Sequence, residues 1–482
     1  MGMALALSAS EARMFAGIAC DSRSVKPGFL FAALPGTKTN GAQFLKDAVA
    51  NGATAVLGKP DVAATAAELG VRFIADENPR LGLSRIAAAF YGAQPKFVAA
   101  VTGTKGKSSV AAFVREIWAA LGIPAASLGT VGVVTPKGEQ PLRHTTPDPI
   151  EIHRLLAELK KDGIDHLALE ASSHGLDQYR LDAVEIAAAG FTNITRDHMD
   201  YHNTFDHYIA AKLRLFTEVL KADGVAVINM DADHAETFLA AANLRGIRML
   251  TVGEKGEALK LLSAEGHEDS QTLSVACAGH SYVVRLPLVG TFQASNALVA
   301  AGLVIGLGGD AAKVFKALET LKGAPGRLER VAYSAANAPI YVDYAHTPDS
   351  LEKVLIAVRP HVTGRLHVIF GCGGDRDKGK RPLMGAAAAK FADDVIISDD
   401  NPRSEDPATI RKEALAGAPG AREIDDRAKA IVVAVAELKA GDALVIAGKG
   451  HETGQYVGDK IIPFSDREEA VKAALASGGR AA

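Results

Sequence analysis

Short apolar runs alternate with stretches of helical periodicity along most of this chain of 482 residues. In a parallel sheet both faces are covered by helices, so the strands are continuous apolar runs and do not alternate with polar residues. Such runs lie at 97–101, 166–169, 187–191 and 225–228, and a second set lies at 340–342, 367–370, 394–398 and 443–447. Their alternation with helices predicts an α/β fold with largely parallel sheets.

The segment FVAAVTGTKGKSSVAAFVREIWAAL combines a strand, a glycine loop and a helix in that order. Gly103 and Gly106 allow backbone N–H groups to approach an anion, Lys107 can reach the β and γ phosphates, and Ser108 suits Mg²⁺. The loop is shortened, because two residues separate its glycines where a standard phosphate loop has four. The alternative interpretation is a glycine turn before a helix with a surface lysine.

The length of the chain and two interruptions of its pattern predict three domains. Domains average about 150 residues, and the glycine- and proline-bearing segments YGAQPK at 91–96 and GAPGRLERV, from Gly323, break the periodicity. We therefore expect an α/β fold with a small N-terminal α/β domain at 1–94, a central phosphate-loop domain with a mostly parallel sheet at 95–325, and a C-terminal Rossmann-like α/β domain at 326–482.

Composition excludes several classes of protein. Lysine and arginine number 53 against 56 acidic residues, so the basic excess that nucleic-acid binding needs is missing. Three scattered cysteines, Cys20, Cys277 and Cys372, indicate neither a disulfide framework nor a thiolate metal site and suit the cytoplasm. No apolar run reaches the ~18 residues of a membrane span, and the first residues do not resemble a signal peptide. We expect a cytoplasmic protein without membrane or nucleic-acid partners.

Two further segments carry residues that could bind a metal. Glu170 follows an apolar run in HLALEASSHGLDQYR, where parallel sheets bind ligands, and Mg²⁺ is its natural partner. A solvated strand-end carboxylate is the alternative. In FTNITRDHMDYHNTFDHYIAAKLRLF, His198 lies near a strand end and Lys212 lies in an amphipathic helix that begins near Thr204. An uncharged lysine amine can react with carbon dioxide to give an anionic carbamate, but an ordinary helix lysine fits the spacing equally well.

Ordered motifs along the whole chain resemble those of the Mur ligases of peptidoglycan synthesis. They are TGTKGKSS at 102–109, LEASSHGL at 169–176, NITRDHMDYH at 193–202, YIAAKLRLF at 208–216, PGRLE at 325–329, DYAHTPDSL at 343–351, FGCGGDRDKGKRP at 370–382, DNPR at 400–403 and GKGHE at 448–452. The resemblance is greatest to the members that join meso-diaminopimelate to UDP-N-acetylmuramoyl-L-alanyl-D-glutamate. It implies an ATP-dependent carbon–nitrogen ligase of cell-wall biogenesis, on which cell shape and division depend.

The resemblance also implies how the reaction proceeds and which residues serve it. The D-glutamyl carboxylate would attack the γ-phosphate of ATP, and the incoming amine would displace the resulting acyl phosphate. Catalytic roles fall on Lys107, Glu170, His198 and carbamylated Lys212, and Ser108, Glu170, His198 and Lys212 would serve Mg²⁺. The matching nucleotide-binding positions are Gly103, Thr104, Lys105, Gly106, Lys107, Ser108, Ser109, Asn296, Arg327, Asp343 and His346. Lys105 stands where relatives usually have Asn.

By the same resemblance, the UDP-sugar and the dipeptide would contact Ser22, Lys38, Thr39, Asn40, Thr145, Thr146, Ser172, Gln178 and Arg180. Many relatives have Asn in place of His144. The amino acid would contact Arg376, Asp400, Asn401, Pro402, Arg403, Gly448 and Glu452. A guanidinium fork suits the distal carboxylate of diaminopimelate, and an acid suits its ammonium. Arg403 and Glu452 can supply them, unless Arg403 pairs with a neighbouring acid such as Glu405.

Other functions remain open from the sequence. The same ligation could use L-lysine, or the chain could be another superfamily ligase such as a folylpolyglutamate synthetase. A phosphate-loop regulatory or motor ATPase and a non-catalytic nucleotide-binding module are further alternatives. The expected partners are small molecules, namely UDP-N-acetylmuramoyl-dipeptide, meso-diaminopimelate and ATP, and we expect a monomer.

Overall fold

A computed structural model describes residues 7–36 and 40–482. Contacts between Cα atoms divide the chain into two compact units. The first comprises Met1–Ala258 and Val299–Asp310, and the second comprises Leu259–Leu298 and Ala311–Ala482. Because these bounds differ from the three expected domains, the domain boundaries at 94 and 325 stay predictions. Within the described part of the chain, no helix is both long enough and apolar enough to cross a bilayer.

The first unit begins with a parallel four-stranded sheet in the order β1-β2-β3-β4. Its strands are β1 Gly17–Ala19, β2 Phe29–Ala32, β3 Ala53–Gly58 and β4 Arg72–Ala75, with helices α1 Ala9–Ala12, α2 Leu45–Ala50, α3 Ala63–Glu68 and α4 Pro79–Tyr91. Asn78 caps α4 by accepting from the Leu81 N–H, and Pro79 takes the first helical position, where no amide hydrogen is needed. Leu30, Ala55 and Leu57 lie in its core.

A larger sheet of the same unit follows. Its strands are β5 Phe97–Thr102, β6 Ala125–Gly129, β7 Gly132–Thr135, β8 Gly138–Gln140, β9 His166–Glu170, β10 Ile186–Phe191, β11 Val225–Asn229 and β12 Arg248–Gly253. Its helices are α5 Lys107–Ala120, α6 Pro149–Lys161, α7 Ser173–Asp177, α8 Met199–His202, α9 Phe205–Arg214 and α10 Ala235–Leu244. The order is β12-β11-β10-β5-β9-β6-β7-β8, and all pairs are parallel except the two that involve β7. The largely parallel central sheet is thus confirmed.

The central strands of this sheet set the position of the site. β5 lies between β9 and β10, so the residues that follow these three strands meet at one edge of the sheet. The strands are buried on both faces, and Trp118 of α5 packs in the core with 2% of its surface exposed. The phosphate-loop segment, Glu170 and the segment 192–198 therefore come together.

The second unit contains an antiparallel meander and a mostly parallel sheet. The meander is β13 Leu259–Gly266, β14 Gln271–Cys277 and β15 His280–Leu286, followed by helices α11 Thr291–Gly306, whose last turns belong to the first unit, and α12 Ala311–Leu318. The later strands are β16 Glu329–Tyr333, β17 Pro339–Asp343, β18 Leu366–Phe370, β19 Asp394–Ile397, β20 Arg422–Glu423, β21 Ala443–Ala447, β22 Gly454–Val457, β23 Lys460–Pro463 and β24 Arg480–Ala481. The later helices are α13 Pro348–Val358, α14 Lys380–Phe391, α15 Pro407–Leu415, α16 Arg427–Glu437 and α17 Asp466–Ala476.

The main sheet of this unit has the order β20-β19-β18-β21-β17-β16-β24. The first five strands in this order, from β20 at one edge to β17, are parallel to one another, and β16 pairs antiparallel with both β17 and β24. The motifs DYAH, FGCGG, DNPR and GKGHE lie at or just after the carboxyl ends of β17, β18, β19 and β21. Four motifs that are far apart in sequence therefore share one edge of one sheet.

Candidate active site

The phosphate-loop segment, residues 103–106, joins β5 directly to α5. Gly106 has a φ of 86°, a left-handed conformation that favours glycine. Gly103 has a φ of 150°, and a Cβ there would lie 2.0 Å from Thr192 Oγ1, so no side chain fits. The first N–H groups of α5 have no partner within the helix and its dipole is positive at this end, which together make an anion site.

The segment after β10 fixes the backbone of this loop. The Lys105 N–H donates to Asn193 Oδ1 at 3.0 Å, and Thr192 Oγ1 donates to the Lys105 carbonyl at 2.6 Å. Thr104 Oγ1 lies 3.0 Å from the Tyr208 hydroxyl. The Lys105 side chain is exposed, and its ammonium lies 3.9 Å from Asp197 Oδ2. The loop is therefore held by its backbone, while the Lys105 charge faces solvent.

Lys107 folds back over the loop that precedes it. Its Nζ donates to the carbonyls of Gly103 and Thr104 at 2.9 and 3.0 Å. Ser108 and Ser109 follow on the first turn of α5, where Ser108 is half-buried and Ser109 is buried. Lys107 is thus half-buried and held against the loop by two hydrogen bonds.

Lys212 lies in α9 and is buried, with 1% of its surface exposed. Its Nζ donates to the same Gly103 carbonyl at 2.8 Å and lies 4.6 Å from the centre of the Tyr208 ring. Burial, and next the positive charge of Lys107, hold the pKa of Lys212 well below its usual value. The side chain therefore favours the neutral amine, which is the form that reacts with carbon dioxide, and it is not a solvent-exposed helix lysine.

Glu170 is the last residue of β9 and is buried rather than solvated. Its Oε1 accepts from the Thr130 N–H at 2.7 Å, and Thr130 Oγ1 donates to Oε2 at 3.2 Å. Its carbonyl accepts from Thr146 Oγ1 at 2.8 Å, and that hydroxyl accepts in turn from the Ser172 N–H at 3.0 Å. Thr130 thus holds the Glu170 carboxylate, and Thr146, which is expected to contact the dipeptide, holds its backbone.

His198 begins the short helix α8 with a φ of 55°, so it lies in the loop beyond β10 and not at the strand end. Partial burial lowers the pKa of His198; Asp197 opposes this, and the charges of Lys107 and Lys212 add to the lowering. The imidazole is therefore neutral near pH 7 and able to coordinate a metal. Its electrostatic environment places it beside both lysines.

The described residues include no group of three or more His, Cys, Asp and Glu side chains that could hold a metal ion. Mg²⁺ does not need such a group, because it keeps several waters and binds one or two carboxylates together with substrate phosphates. A buried carboxylate at Glu170, a hydroxyl at Ser108 and a neutral imidazole at His198 fit that donor set beside a phosphate loop. Lys212 would fit it only as a carbamate, because Mg²⁺ prefers oxygen ligands and the unmodified amine offers only nitrogen.

The expected dipeptide-binding residues form one hydrogen-bonded group in the first unit. Arg180 donates to the Thr146 carbonyl at 2.5 Å and to Gln178 Oε1 at 2.8 Å. Gln178 donates to the Tyr201 hydroxyl at 3.0 Å. Thr145 Oγ1 lies 3.0 Å from Thr130 Oγ1, which contacts Glu170. These contacts link the expected dipeptide site to Glu170.

The expected UDP-sugar residues are described in part. Ser22 is buried, and its carbonyl accepts from Asn51 Nδ2 at 3.0 Å. Asn40 is exposed, and its Oδ1 accepts from the Ala42 N–H at 3.1 Å. Lys38 and Thr39 lie outside the described residues.

The expected nucleotide-binding residues of the second unit surround Tyr344. The Arg327 guanidinium lies 4.6 Å from the centre of the Tyr344 ring, and His346 Nδ1 lies 2.8 Å from the Tyr344 carbonyl. Asp343 accepts from the N–H groups of Leu328 and Ala345 at 2.6 and 2.7 Å. The aromatic face of Tyr344 therefore carries the Arg327 guanidinium, and the PGRLE and DYAH motifs lie together here.

Asn296 is buried at one end of a short hydrogen-bonded series in the same unit. Its Nδ2 donates to Gln293 Oε1 at 3.2 Å, and Gln293 Nε2 donates to the Arg327 carbonyl at 3.3 Å. The residue expected to contact nucleotide from α11 is thus connected to the PGRLE motif.

The expected amino-acid residues come together where β19 and β21 end. Arg403 has a φ of 52°, and its NH1 donates to the Gly374 carbonyl at 2.7 Å. Its N–H donates to the Tyr456 carbonyl at 2.9 Å, so the hairpin β22–β23 pairs with DNPR. Glu405 instead accepts from Arg381 at 2.9 Å, and the alternative of an Arg403–Glu405 pair is not what the fold contains.

Four of the remaining members of this group form two close pairs. Asn401 Nδ2 donates to Glu452 Oε2 at 2.9 Å. Gly448 has a φ of 114°, and a Cβ there would lie 2.7 Å from Asp400 Oδ2. Pro402 is buried behind them, whereas Arg376 is exposed. DNPR and GKGHE therefore form a single site.

Sequence reasoning missed several residues of these sites. Tyr208 lies one helical turn before Lys212, and the i, i+4 spacing in YIAAK signals that the two share a face. Thr130, Tyr344 and Lys449 carry no such local signal, because each contributes through contacts that only the tertiary fold creates. Lys449 belongs to GKGHE and is wholly buried.

Comparisons with known proteins agree with this arrangement. Residues 15–91 match the Mur ligase family catalytic domain, 101–304 the Mur ligase middle domain, and 326–450 the Mur ligase glutamate ligase domain. The UDP-N-acetylmuramoyl-L-alanyl-D-glutamate–2,6-diaminopimelate ligase of Bradyrhizobium diazoefficiens is 57% identical over 467 residues, covering 96% of this chain and 95% of the relative. The enzyme of that name from Brucella melitensis is 53% identical over 461 residues, covering 96% and 94%.

A solved structure of a UDP-N-acetylmuramoyl-L-alanyl-D-glutamate–2,6-diaminopimelate ligase has a similar fold. It superposes with a TM-score of 0.72 at 36% identity, covering 96% of this chain and 95% of the other. The similarity extends over both units, so it covers the phosphate loop and the DNPR and GKGHE site alike.

Proposed function

The chain belongs to the Mur ligase family, and we propose that it joins meso-diaminopimelate to UDP-N-acetylmuramoyl-L-alanyl-D-glutamate at the expense of ATP. The reaction belongs to peptidoglycan precursor synthesis, and the relatives that cover nearly the whole chain bear the name of this activity. We place the reaction in the cytoplasm, where its nucleotide substrates are made.

The observation that carries the proposal is the single site formed by DNPR and GKGHE. Diaminopimelate ends in an ammonium and a carboxylate. Arg403 offers a guanidinium whose NH1 donates to the Gly374 carbonyl, while the nearby Glu405 is paired with Arg381. Glu452 offers a carboxylate on the same site, connected through Asn401. L-lysine lacks the distal carboxylate and would face Arg403 with a bare ammonium, a like-charge contact that costs several kcal/mol when desolvated.

The chemistry follows from charges near the phosphate loop. A carboxylate oxygen of the D-glutamyl residue attacks the γ-phosphorus, ADP leaves, and the amine nitrogen then attacks the acyl carbon and releases phosphate. In the first step the D-glutamyl carboxylate approaches the triphosphate of ATP. Both groups are anionic, so the site needs positive charge. Lys107 and the N-terminus of α5 supply it from fixed positions, which is the most effective kind of transition-state stabilisation.

Ser108, Glu170, His198 and a carbamate on Lys212 would hold Mg²⁺. When bound, Mg²⁺ supplies charge that neutralises the phosphate oxygens. Lys212 contributes a buried amine of lowered pKa, and the Gly103 carbonyl orients it. Glu170 is kept in place by Thr130.

We assign the UDP-sugar to a domain at 1–94, ATP to a domain at 95–325 and the amino acid to a domain at 326–482. The three family matches, at 15–91, 101–304 and 326–450, support these limits. In the first domain Ser22 and Asn40, with Lys38 and Thr39, would contact the UDP-sugar.

The test measures ADP release by the purified protein with UDP-N-acetylmuramoyl-L-alanyl-D-glutamate and a panel of amino acids. We expect release to require both the dipeptide and meso-diaminopimelate. Equal turnover with L-lysine would contradict the choice of amino acid. ATP hydrolysis that needs neither substrate would contradict ligation altogether, and turnover with a folate and glutamate would identify a folylpolyglutamate synthetase.

A further inference from the structure

A buried lysine connects the two amino-acid motifs. Lys449 is the second residue of GKGHE, and none of its side-chain surface is exposed. Lysine is almost never fully buried unless it is paired, because an isolated ammonium loses several kcal/mol of hydration. The contacts that compensate for this loss therefore indicate what the residue does.

The ammonium of Lys449 has three hydrogens and three acceptors. Nζ donates to Asn401 Oδ1 at 3.1 Å, to Glu452 Oε2 at 3.2 Å and to the Gly454 carbonyl at 2.7 Å. The acceptors belong to DNPR, to GKGHE and to the first residue of the hairpin β22–β23. Asn401 Oδ1 also accepts from the Tyr456 N–H at 3.0 Å. One cation thus joins DNPR, GKGHE and the hairpin β22–β23.

These contacts decide which oxygen of Glu452 is available. The bonds from Lys449 and Asn401 both end on Oε2. The Glu452 side chain is 29% exposed, so Oε1 is the oxygen left to accept from an incoming ammonium. Without Lys449, Oε2 would have only the Asn401 bond, and the carboxylate could rotate about its last torsion, which is broad in glutamate.

The charges point in the same direction. Lys449 adds one positive charge directly beside Asn401 and Glu452. Added positive charge favours the end of diaminopimelate, which carries a carboxylate and has no net charge, over the end of L-lysine, which has a charge of +1.

We propose that Lys449 is a positioning and specificity-determining residue that orients Glu452 and Asn401 toward the amino acid and disfavours a ligand without a distal carboxylate. The inference rests on the proposed function, because it takes the DNPR and GKGHE site to be where the amino acid binds. Lys449 does not itself touch the ligand in this account, and it acts through Glu452.

The test compares Lys449→Met with Lys460→Met in the full-length protein. Lys460 is an exposed lysine of β23, so its variant controls for loss of a lysine near the same hairpin. We expect Lys449→Met to raise the KM for meso-diaminopimelate at least tenfold, to leave the KM for ATP within twofold, and to lower the preference for meso-diaminopimelate over L-lysine in kcat/KM at least fivefold. Lys460→Met should match the wild type in all three.

A double variant separates positioning from general destabilisation. If Lys449 acts through Glu452, then Lys449→Met/Glu452→Gln should have the same KM for meso-diaminopimelate as Glu452→Gln alone, because interacting residues are not additive. Fully additive effects, or a Lys449→Met variant with an unchanged KM and preference, would overturn the inference. If the methionine variant does not fold, Lys449→Gln, which keeps an amide donor without the charge, takes its place. A wild-type protein that does not need meso-diaminopimelate would instead contradict the proposed function.

Discussion

Replacing Lys212 by methionine should separate stability from activity. Methionine has nearly the length of lysine but no amine, so the variant removes one hydrogen bond from the core. The bond in question runs from Nζ to the Gly103 carbonyl at 2.8 Å. Lys107 donates to the same carbonyl at 2.9 Å, so its loss leaves no buried acceptor without a partner.

The expected change in stability is therefore small. One hydrogen bond contributes about 1 kcal/mol net, and methionine avoids the cost of burying an amine. At a pH near 10.5, the usual pKa of lysine, proton linkage contributes little, and there we expect the free energy of unfolding to change by no more than about 1 kcal/mol in either direction. Breaking a buried ion pair would cost about 3–5 kcal/mol. Ligation, in contrast, should fall more than about a hundredfold, or about 2.7 kcal/mol of transition-state stabilisation.

The lowered pKa of Lys212 adds a dependence on pH. Because its pKa in the folded protein lies below the usual 10.5, the unfolded chain binds a proton at this site more readily than the native protein does. Stability then rises with pH from the lowered pKa up to the usual value. In buffer without carbon dioxide, the wild type should gain stability relative to Lys212→Met as pH rises from about 7 to about 9.5.

Urea unfolding at several pH values and ADP release measure these effects together. Lys212→Arg should be inactive as well, because a guanidinium stays cationic and does not form a carbamate. Small carboxylates should partly restore activity to Lys212→Ala. An active arginine variant, or a loss of more than about 3 kcal/mol in Lys212→Met, would refute the assignment of a neutral, reactive amine.

Three further variants test other parts of the molecule. Lys107→Ala should lose far more than tenfold in ligation while its circular dichroism stays unchanged; a smaller loss, below ~1.4 kcal/mol, would reject its role at the phosphates. Arg403→Ala should lower the preference for meso-diaminopimelate over L-lysine in kcat/KM, and an unchanged preference would show that the pocket is assigned wrongly. Asp466→Asn should cost about 3–5 kcal/mol in urea unfolding, because it leaves the wholly buried Arg427 without its carboxylate, 2.7 Å away; a cost below about 1 kcal/mol would contradict this.

The parallel sheets could be predicted from sequence because their strands are buried on both faces. The run at 225–228 is part of β11, Val225–Asn229, and the run at 443–447 is β21 itself. The meander β13–β15 was not predicted. Along β14, Gln271–Cys277, fully and partly buried residues alternate, and such a one-sided strand leaves no continuous apolar run. The alternation of residues along β14 with a period of two was the pattern from which this strand could have been predicted. The hairpin β22–β23 is too exposed to give either pattern.

The candidate site residues that lie at the end of a strand or directly after it could be predicted from the sequence. Glu170 ends β9, and the phosphate loop follows β5, so the position of each was evident from local pattern. His198 was placed near a strand end, but it begins α8 instead, because residues 192–197 first brace the phosphate loop. The burial of Lys449 could not be predicted. It depends on Asn401, 48 residues away, and lysine by itself indicates an exposed side chain.

Two lysines donate to the Gly103 carbonyl, and this arrangement assigns them different roles. Two ammonium ions so close to one oxygen would repel each other strongly in a buried setting, so one of them must give up its proton. Lys212 is buried and Lys107 is half-buried, so Lys212 is the one that becomes neutral. Lys107 then keeps the charge that a phosphate requires, while Lys212 keeps the lone pair that carbon dioxide requires. A carbamate on Lys212 would be anionic and would attract the Lys107 ammonium. The charged form of Lys107 therefore favours the carbamate on Lys212, and that carbamate in turn favours the charged form of Lys107.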